Sequence, residues 1–211
     1  MVRVKICGIT NSADAELACN FGAAAIGLNF FPESPRAVSP FAARSIVERL
    51  PPFVSAVGVF VNWQADVVIA LSSALGLTAA QLHGDETPAV VGRVSKKIPV
   101  IKALRIAQAD SSPQFARFRE ASAFLLDAAH PGQYGGTGTT ANWHLARAAA
   151  QSHRILLAGG LTPENVGEAI RIVRPYAVDV ASGVESRPGR KDPARLRAFF
   201  DEVARANREL D

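Results

Sequence analysis

The chain has little cysteine, histidine or aromatic side chain, and no long apolar run. Its 211 residues include two cysteines, four histidines, two tryptophans and two tyrosines. Cys7 and Cys19 are too few for a disulfide framework, so a reducing, cytoplasmic setting is expected. No stretch approaches the ~20 apolar residues a membrane helix needs. Arg3 and Lys5 charge the N-terminus with no apolar core behind them, so no secretion signal is read. His83, His130, His144 and His153 do not fall at metal-ligand spacings, and no metal is expected. The net charge is only +4. Its one cluster, Arg187, Arg190, Lys191, Arg195 and Arg197, reads as a solvated C-terminal helix with its entry loop. A continuous basic face with interleaved aromatics is missing, which argues against a nucleic-acid partner. A mildly positive field still suits a small anionic substrate. Linkers, low-complexity tracts and composition breaks are absent as well, so residues 1–211 read as one domain.

What the chain does have is alternation. Hydrophobic residues make up 48% of it, enough for a sizeable core. Short apolar runs predict strands near Val2–Cys7, Ala24–Asn29, Val54–Val61, Ala79–His83, Val100–Ala103, Ala123–Asp127, Ile155–Ala158 and Ala177–Ala181. Amphipathic segments between them predict helices near Asn11–Phe21, Pro40–Leu50, Gln64–Leu75, Pro88–Val94, Pro113–Glu120, Trp143–Gln151, Pro163–Val173 and Pro193–Asn207. Ser39-Pro40, Thr162-Pro163 and Asp192-Pro193 have the form of an N-cap followed by a first-turn proline. Asn11 or Ser12 caps the first helix, with Asp14 and Glu16 in its first turns. Eight strand–helix units imply parallel strands with right-handed crossovers. An open doubly wound sheet competes, but the count of eight favours an α/β single-domain TIM barrel, a (β/α)8 fold at the short end of its length range.

Strand parity sorts the side chains. Wholly apolar faces belong under the helices, and mixed faces then line the barrel. On that basis Lys5, Gln81, Lys102, Asp127 and Asp179 are expected inside. Buried charge must be paired or used. A structural network, with Lys5 or Lys102 on Asp179, is one outcome and a catalytic site is the other.

Two strand ends carry chemistry. Cys7 closes the first apolar run and Asp127 closes the sixth. A thiol and a carboxyl at one barrel mouth make a base and an acid. Cys7 read without its position is a small buried hydrophobe. As a thiolate it would need its ordinary pKa, near 8.5, lowered by a cation or helix N-terminal donors. Cys19, mid-helix among apolar residues, reads as packing. Two glycine-rich stretches follow the last strands: Ala158-Gly159-Gly160-Leu161 and Ala181-Ser182-Gly183-Val184. Each alone fits a turn. Together, at loops seven and eight, they point to phosphate held by backbone N–H groups. Gln133–Thr139, with Tyr134, Gly135 and Gly136, follows strand six and reads as a lid or as a plain surface loop. Arg36, beside Phe30 and Phe31, would grip a carboxylate on an aromatic ring, or else be solvated. His83 ends strand four.

These residues sit in runs that resemble the phosphoribosylanthranilate isomerase family. The runs are KICGIT at Lys5–Thr10, SPR at Ser34–Arg36, VGVFVN at Val57–Asn62, QLHGDE at Gln81–Glu86 and LLDA at Leu125–Ala128. YGGTG at Tyr134–Gly138, LAGGLTPENV at Leu157–Val166, VDVASGVES at Val178–Ser186 and PGRKD at Pro188–Asp192 complete the series. The resemblance spans nearly the whole chain, and the order makes it specific. It implies a cofactor-free Amadori rearrangement in tryptophan biosynthesis. The implied substrate is N-(5-phosphoribosyl)anthranilate, an anionic ribose phosphate, and the implied product is 1-(o-carboxyphenylamino)-1-deoxyribulose 5-phosphate. It implies Asp127 as general acid, Cys7 as general base and Arg36 on the anthranilate carboxylate. Gly159, Gly160, Ser182 and Gly183 would hold the phosphate, Asp179 would line the site, and His83 would stand at its edge without a chemical step. The family often has Phe-Asp-Trp after the YGGTG run, where this chain has Ala141, Asn142 and Trp143. Monomer and homodimer both fit the resemblance. Two rivals remain: a barrel isomerase of another amino-sugar phosphate, and a non-catalytic sugar-phosphate binder.

Overall fold

A computed structural model of the chain describes residues 1–106, 115–128 and 143–210. Eight parallel strands close into a barrel in chain order. They are β1 (Arg3–Ile6), β2 (Ala25–Asn29), β3 (Ser55–Phe60), β4 (Ala79–Leu82), β5 (Val100–Ile106), β6 (Ala123–Ala128), β7 (Ile155–Leu157) and β8 (Ala177–Val180). The barrel shuts where β1 pairs with β8, Lys5 opposite Asp179. Around it stand α1 (Ser12–Asn20), α2 (Pro40–Val47), α3 (Ala65–Leu75), α4 (Pro88–Ser95), α5 (Trp143–Ala150), α6 (Val166–Val173) and α7 (Pro193–Leu210). The chain is therefore a TIM barrel, as its alternation predicts.

Pleat parity builds two cores. Outward-facing Ile6, Leu28, Phe60, Leu82, Leu126 and Val178 bury against the helices in the larger one. Inside the barrel, Ala103, Ala123, Leu125, Leu156, Ala158 and Ala177 fill the β5–β8 side. Lys5 on β1, Gln81 on β4, Asp127 on β6 and Asp179 on β8 are buried polar side chains that share this inward face.

Lys102 corrects the expected interior set. It pairs in register with outward-facing Leu82, so its side chain lies on the helix side of β5. There its ammonium meets the Glu86 carboxylate at 2.8 Å and the carbonyls of Leu82 at 3.1 Å and Gly84 at 2.7 Å, beneath the Phe118 ring. It therefore has no part in the Asp179 pair.

Several caps form as read. Asn11 takes the Asp14 N–H, Ser39 the Ala42 N–H, and Asp192 the N–H groups of Ala194 and Arg195. Two helix readings change. The segment Pro113–Glu120 contains, in its described part, a single 3-10 turn at Phe115–Phe118. Phe115 stacks on His153 and meets Phe124 edge-on, so packing of its ring sets the local geometry. The α6 helix begins at Val166 rather than Pro163. Asn165 causes this: its side chain takes the Thr162 N–H at 2.9 Å and donates to the Gly160 carbonyl at 2.8 Å. Both bonds fold the turn back on the glycine loop.

The C-terminal basic cluster departs in part from the expected solvated face. Arg187, Arg190, Arg195 and Arg197 are exposed, but Lys191 is buried. A short antiparallel hairpin, β9 (Glu185–Arg187) with β10 (Arg190–Lys191), carries Lys191 back under the barrel mouth. The N-terminal strand is clasped to the last helix: Asn207 accepts from the Val2 N–H and donates to the Val2 carbonyl. Among the described residues no helix is long and apolar enough to cross a membrane.

Candidate active site

The strand ends open into a cavity of about 470 Å³. Cys7, Arg36, His83, Asp127, Gly159, Gly160, Asp179 and Ser182 all line it. The two reactive groups predicted at separate strand ends thus share one chamber.

The backbone of Cys7 is clamped from two sides. Its N–H donates to the Val180 carbonyl at 2.8 Å, and its carbonyl accepts from the Lys191 ammonium at 2.7 Å. Lys191 also donates to the Ala181 carbonyl at 3.1 Å and to Glu185 at 2.9 Å. Burial holds Lys191 below the ordinary lysine range, against the pull of Glu185.

Two residues below Cys7 on the same face, Lys5 donates to Asp179 at 2.7 Å. Both are buried. Burial disfavours the Lys5 charge, but Asp179 and Cys7 outweigh it, and the ammonium is held above its ordinary range. For Cys7 the balance goes the other way. Burial raises the thiol, Asp179 adds to it, and Lys5 and Lys191 only partly offset them. The expectation of a lowered thiol pKa is therefore corrected: the cation is in place, but desolvation outweighs it and holds the thiol above its ordinary range.

Asp127 lies one residue inside the end of β6 and is 5% exposed. Its Oδ2 is 3.4 Å from His83 Nε2. On its other side the ring meets Gln81, with Gln81 Nε2 2.7 Å from His83 Nδ1.

Arg36 is set by its own loop. Asn29 donates to the Ser34 hydroxyl, which accepts the Arg36 N–H. The guanidinium then grips Glu185 with Nε and Nη2 at 2.7–3.1 Å. The solvated alternative for Arg36 is excluded by this pair. Burial opposes the Glu185 charge, yet Arg36 and Lys191 outweigh it and hold the carboxyl below its ordinary range.

The glycine loops take different parts. Gly159 and Gly160 adopt φ of 84° and 65°, which a side chain would strain, and they expose backbone to the cavity. Ser182 lines the cavity opposite them, at the start of a 3-10 turn, Ser182–Val184. Gly183 is absent from the cavity wall; a Cβ there would enter the Leu161 carbonyl, so it lets loops seven and eight touch. Tyr134, Gly135 and Gly136 lie outside the described residues. So do Ala141 and Asn142.

Sequence reasoning missed Glu185 and Lys191. Their polar run after β8 was visible, but their partners are 149 residues away at Arg36 and 184 away at Cys7. Among the described residues no group of three or more His, Cys, Asp or Glu side chains is placed to hold a metal ion.

Comparison with known proteins agrees with this geometry. Residues 4–202 match the family model described as N-(5'-phosphoribosyl)anthranilate (PRA) isomerase. The N-(5'-phosphoribosyl)anthranilate isomerase of Pelobacter propionicus is 50% identical over 95% of this chain and 94% of its own. The phosphoribosyl anthranilate isomerase structure from Thermus thermophilus superposes with a TM-score of 0.88 at 43% identity, covering 97% of this chain and 99% of that one. A further isomerase structure, solved in complex with reduced 1-(o-carboxyphenylamino)-1-deoxyribulose 5-phosphate, gives a TM-score of 0.84 at 41% identity over 97% and 99% of the two chains. With a cysteine and an aspartate facing one cavity beneath two glycine loops, and with this likeness along nearly its whole length, the chain belongs to the N-(5'-phosphoribosyl)anthranilate isomerase family.

Proposed function

We propose that the chain isomerises N-(5-phosphoribosyl)anthranilate to 1-(o-carboxyphenylamino)-1-deoxyribulose 5-phosphate, the Amadori step of tryptophan biosynthesis, with Asp127 as acid and Cys7 as base. The observation that carries this reading is that both groups line one cavity with the glycine loops and Arg36. Backbone at Gly159, Gly160 and Ser182 binds the phosphate, and Gly183 serves by letting the two loops approach. Arg36, its guanidinium fixed by Glu185, takes the anthranilate carboxylate with its remaining N–H groups.

Asp127 gives a proton to the ribose ring oxygen. The ring opens to an iminium, which acidifies the hydrogen on C2. Cys7 removes that hydrogen as thiolate, and the enolamine becomes the ketone. Lys5 stands beside the sulfur and stabilises the thiolate, while Asp179 keeps Lys5 charged and in place. The positive iminium reinforces Lys5 at the moment the base is needed. A relative acting through two carboxylates would have no use for a sulfur here.

Cys7→Ala and Asp127→Ala are expected to lower turnover by at least about 10²–10⁴ while leaving binding of a phosphate-bearing product analogue measurable. Anthranilate fluorescence follows the turnover. Full activity in either variant removes that residue from its role.

A further inference from the structure

Gln81 and His83 point into the barrel from β4 and the residue that follows it, in line with Asp127. The imidazole lies between two partners: Gln81 Nε2 at 2.7 Å from Nδ1, and Asp127 Oδ2 at 3.4 Å from Nε2. Gln81 is 1% exposed, and its Oε1 has no hydrogen-bond partner.

An amide nitrogen can only donate. Facing Nδ1, it requires a lone pair there, which puts the single ring proton on Nε2 and directs it at Asp127. A second proton cannot be added at Nδ1 without setting two N–H groups against each other. We propose that Gln81 is a positioning residue that keeps His83 as the neutral Nε2–H tautomer, so that a proton taken up by the His83–Asp127 pair stays on the carboxyl group. His83 then directs its one N–H at an oxygen of Asp127 and offers no lone pair there to take the proton meant for the ring oxygen. The inference rests on the reading of Asp127 as general acid and adds why the neighbouring ring does not compete for its proton.

The other charges near the pair do not dictate a different state. Arg105 on β5 stands in register with Asp127, and Asp85 lies 3.6 Å from Arg105. These two oppose each other and are partly or largely solvated, with side-chain exposures of 34% and 69%. Lys5 with Asp179, and Lys102 with Glu86 behind the sheet, are paired. The orphaned Gln81 oxygen is the cost of the arrangement, since an apolar residue would leave no polar atom unsatisfied.

Nitrogen-15 imidazole spectra of the wild-type protein, without ligand, read the tautomer directly. His83 is assigned by the signal lost in His83→Asn. Near neutral pH the expected ring has a protonated Nε2 and a lone pair on Nδ1. In Gln81→Glu the new carboxylate accepts a hydrogen bond from Nδ1–H, which favours a ring protonated on both nitrogens over a wider pH range than in the wild type. With the proton drawn to the ring, kcat falls by about ten-fold or more while KM stays within about two-fold. A wild-type ring protonated on Nδ1, or a Gln81→Glu protein with the wild-type tautomer and titration, overturns the proposal. Full turnover by Asp127→Asn removes the acid reading instead and leaves the tautomer result standing.

Discussion

Arg36 and Glu185 come from opposite ends of the sequence and meet as a two-pronged ion pair, with Nη2 to Oε2 at 2.7 Å. The same carboxylate takes Lys191 at 2.9 Å, and Lys191 in turn holds the Cys7 carbonyl. One acidic side chain therefore connects the group assigned to the substrate carboxylate with the backbone of the assigned base.

Removing that charge strands two cations, one of them fully buried. Glu185→Gln is expected to cost about 3–5 kcal/mol of folding stability, the range for breaking a buried pair on one side. The KM should rise more than kcat falls, because the guanidinium loses its anchor. Denaturant unfolding and steady-state kinetics check the two parts.

Acid should weaken the same network. The folded-state pKa of Glu185 is lowered, so its contribution is complete above the ordinary glutamate value and is lost as pH falls through the lowered one. Wild-type melting temperature is expected to drop over that acid window. Glu185→Gln should show a shallower drop there, and equal slopes would contradict the assignment.

Cys7 gives the opposite dependence. Its folded-state pKa is raised, so the thiol form persists in the fold after the unfolded chain has ionised. That contribution is complete below the ordinary thiol value and is lost as pH rises through the raised one. Alkylation of Cys7 by iodoacetamide, read by mass spectrometry, should therefore reach half its limiting rate above the ordinary ~8.5. Lys5→Met should move the midpoint higher still, because the cation that favours the thiolate is gone.

Gly27 leaves the room that Lys5 and Cys7 occupy. A methyl group there would lie 2.7 Å from the Cys7 sulfur and 3.0 Å from the Lys5 nitrogen. Gly27→Ala is expected to displace the sulfur and lower kcat by about 10–100-fold, as small misplacements at a reacting group do. The fold should persist, as judged by circular dichroism.

Much of this was legible in the chain, and the unreadable part has a common cause. Period-two apolar runs and cap–proline pairs act locally, so the eight strands and most helix starts follow from them. Cys7 and Asp127 were visible because each ends a strand. Lys102 was misplaced because a lone charge between apolar neighbours has the same pattern on either face of a strand; only the register with Leu82 decides. The Lys191 burial and the Glu185 anchor depend on a hairpin that folds back across the barrel, and local polarity does not predict it. Asn165 shifts a helix start through two side-chain bonds that a proline-based rule does not include.

The closure of β1 on β8 has a consequence for the order of assembly. The sulfur of Cys7 is made more than 170 residues before its neighbours Asp179, Ala181 and Lys191. A growing polypeptide carries that thiol unaccompanied, with Lys5 apart from Asp179, until β8 and the β9–β10 hairpin emerge and dock. The cavity's Cys7 wall is therefore completed in a single docking event, when β1 meets β8.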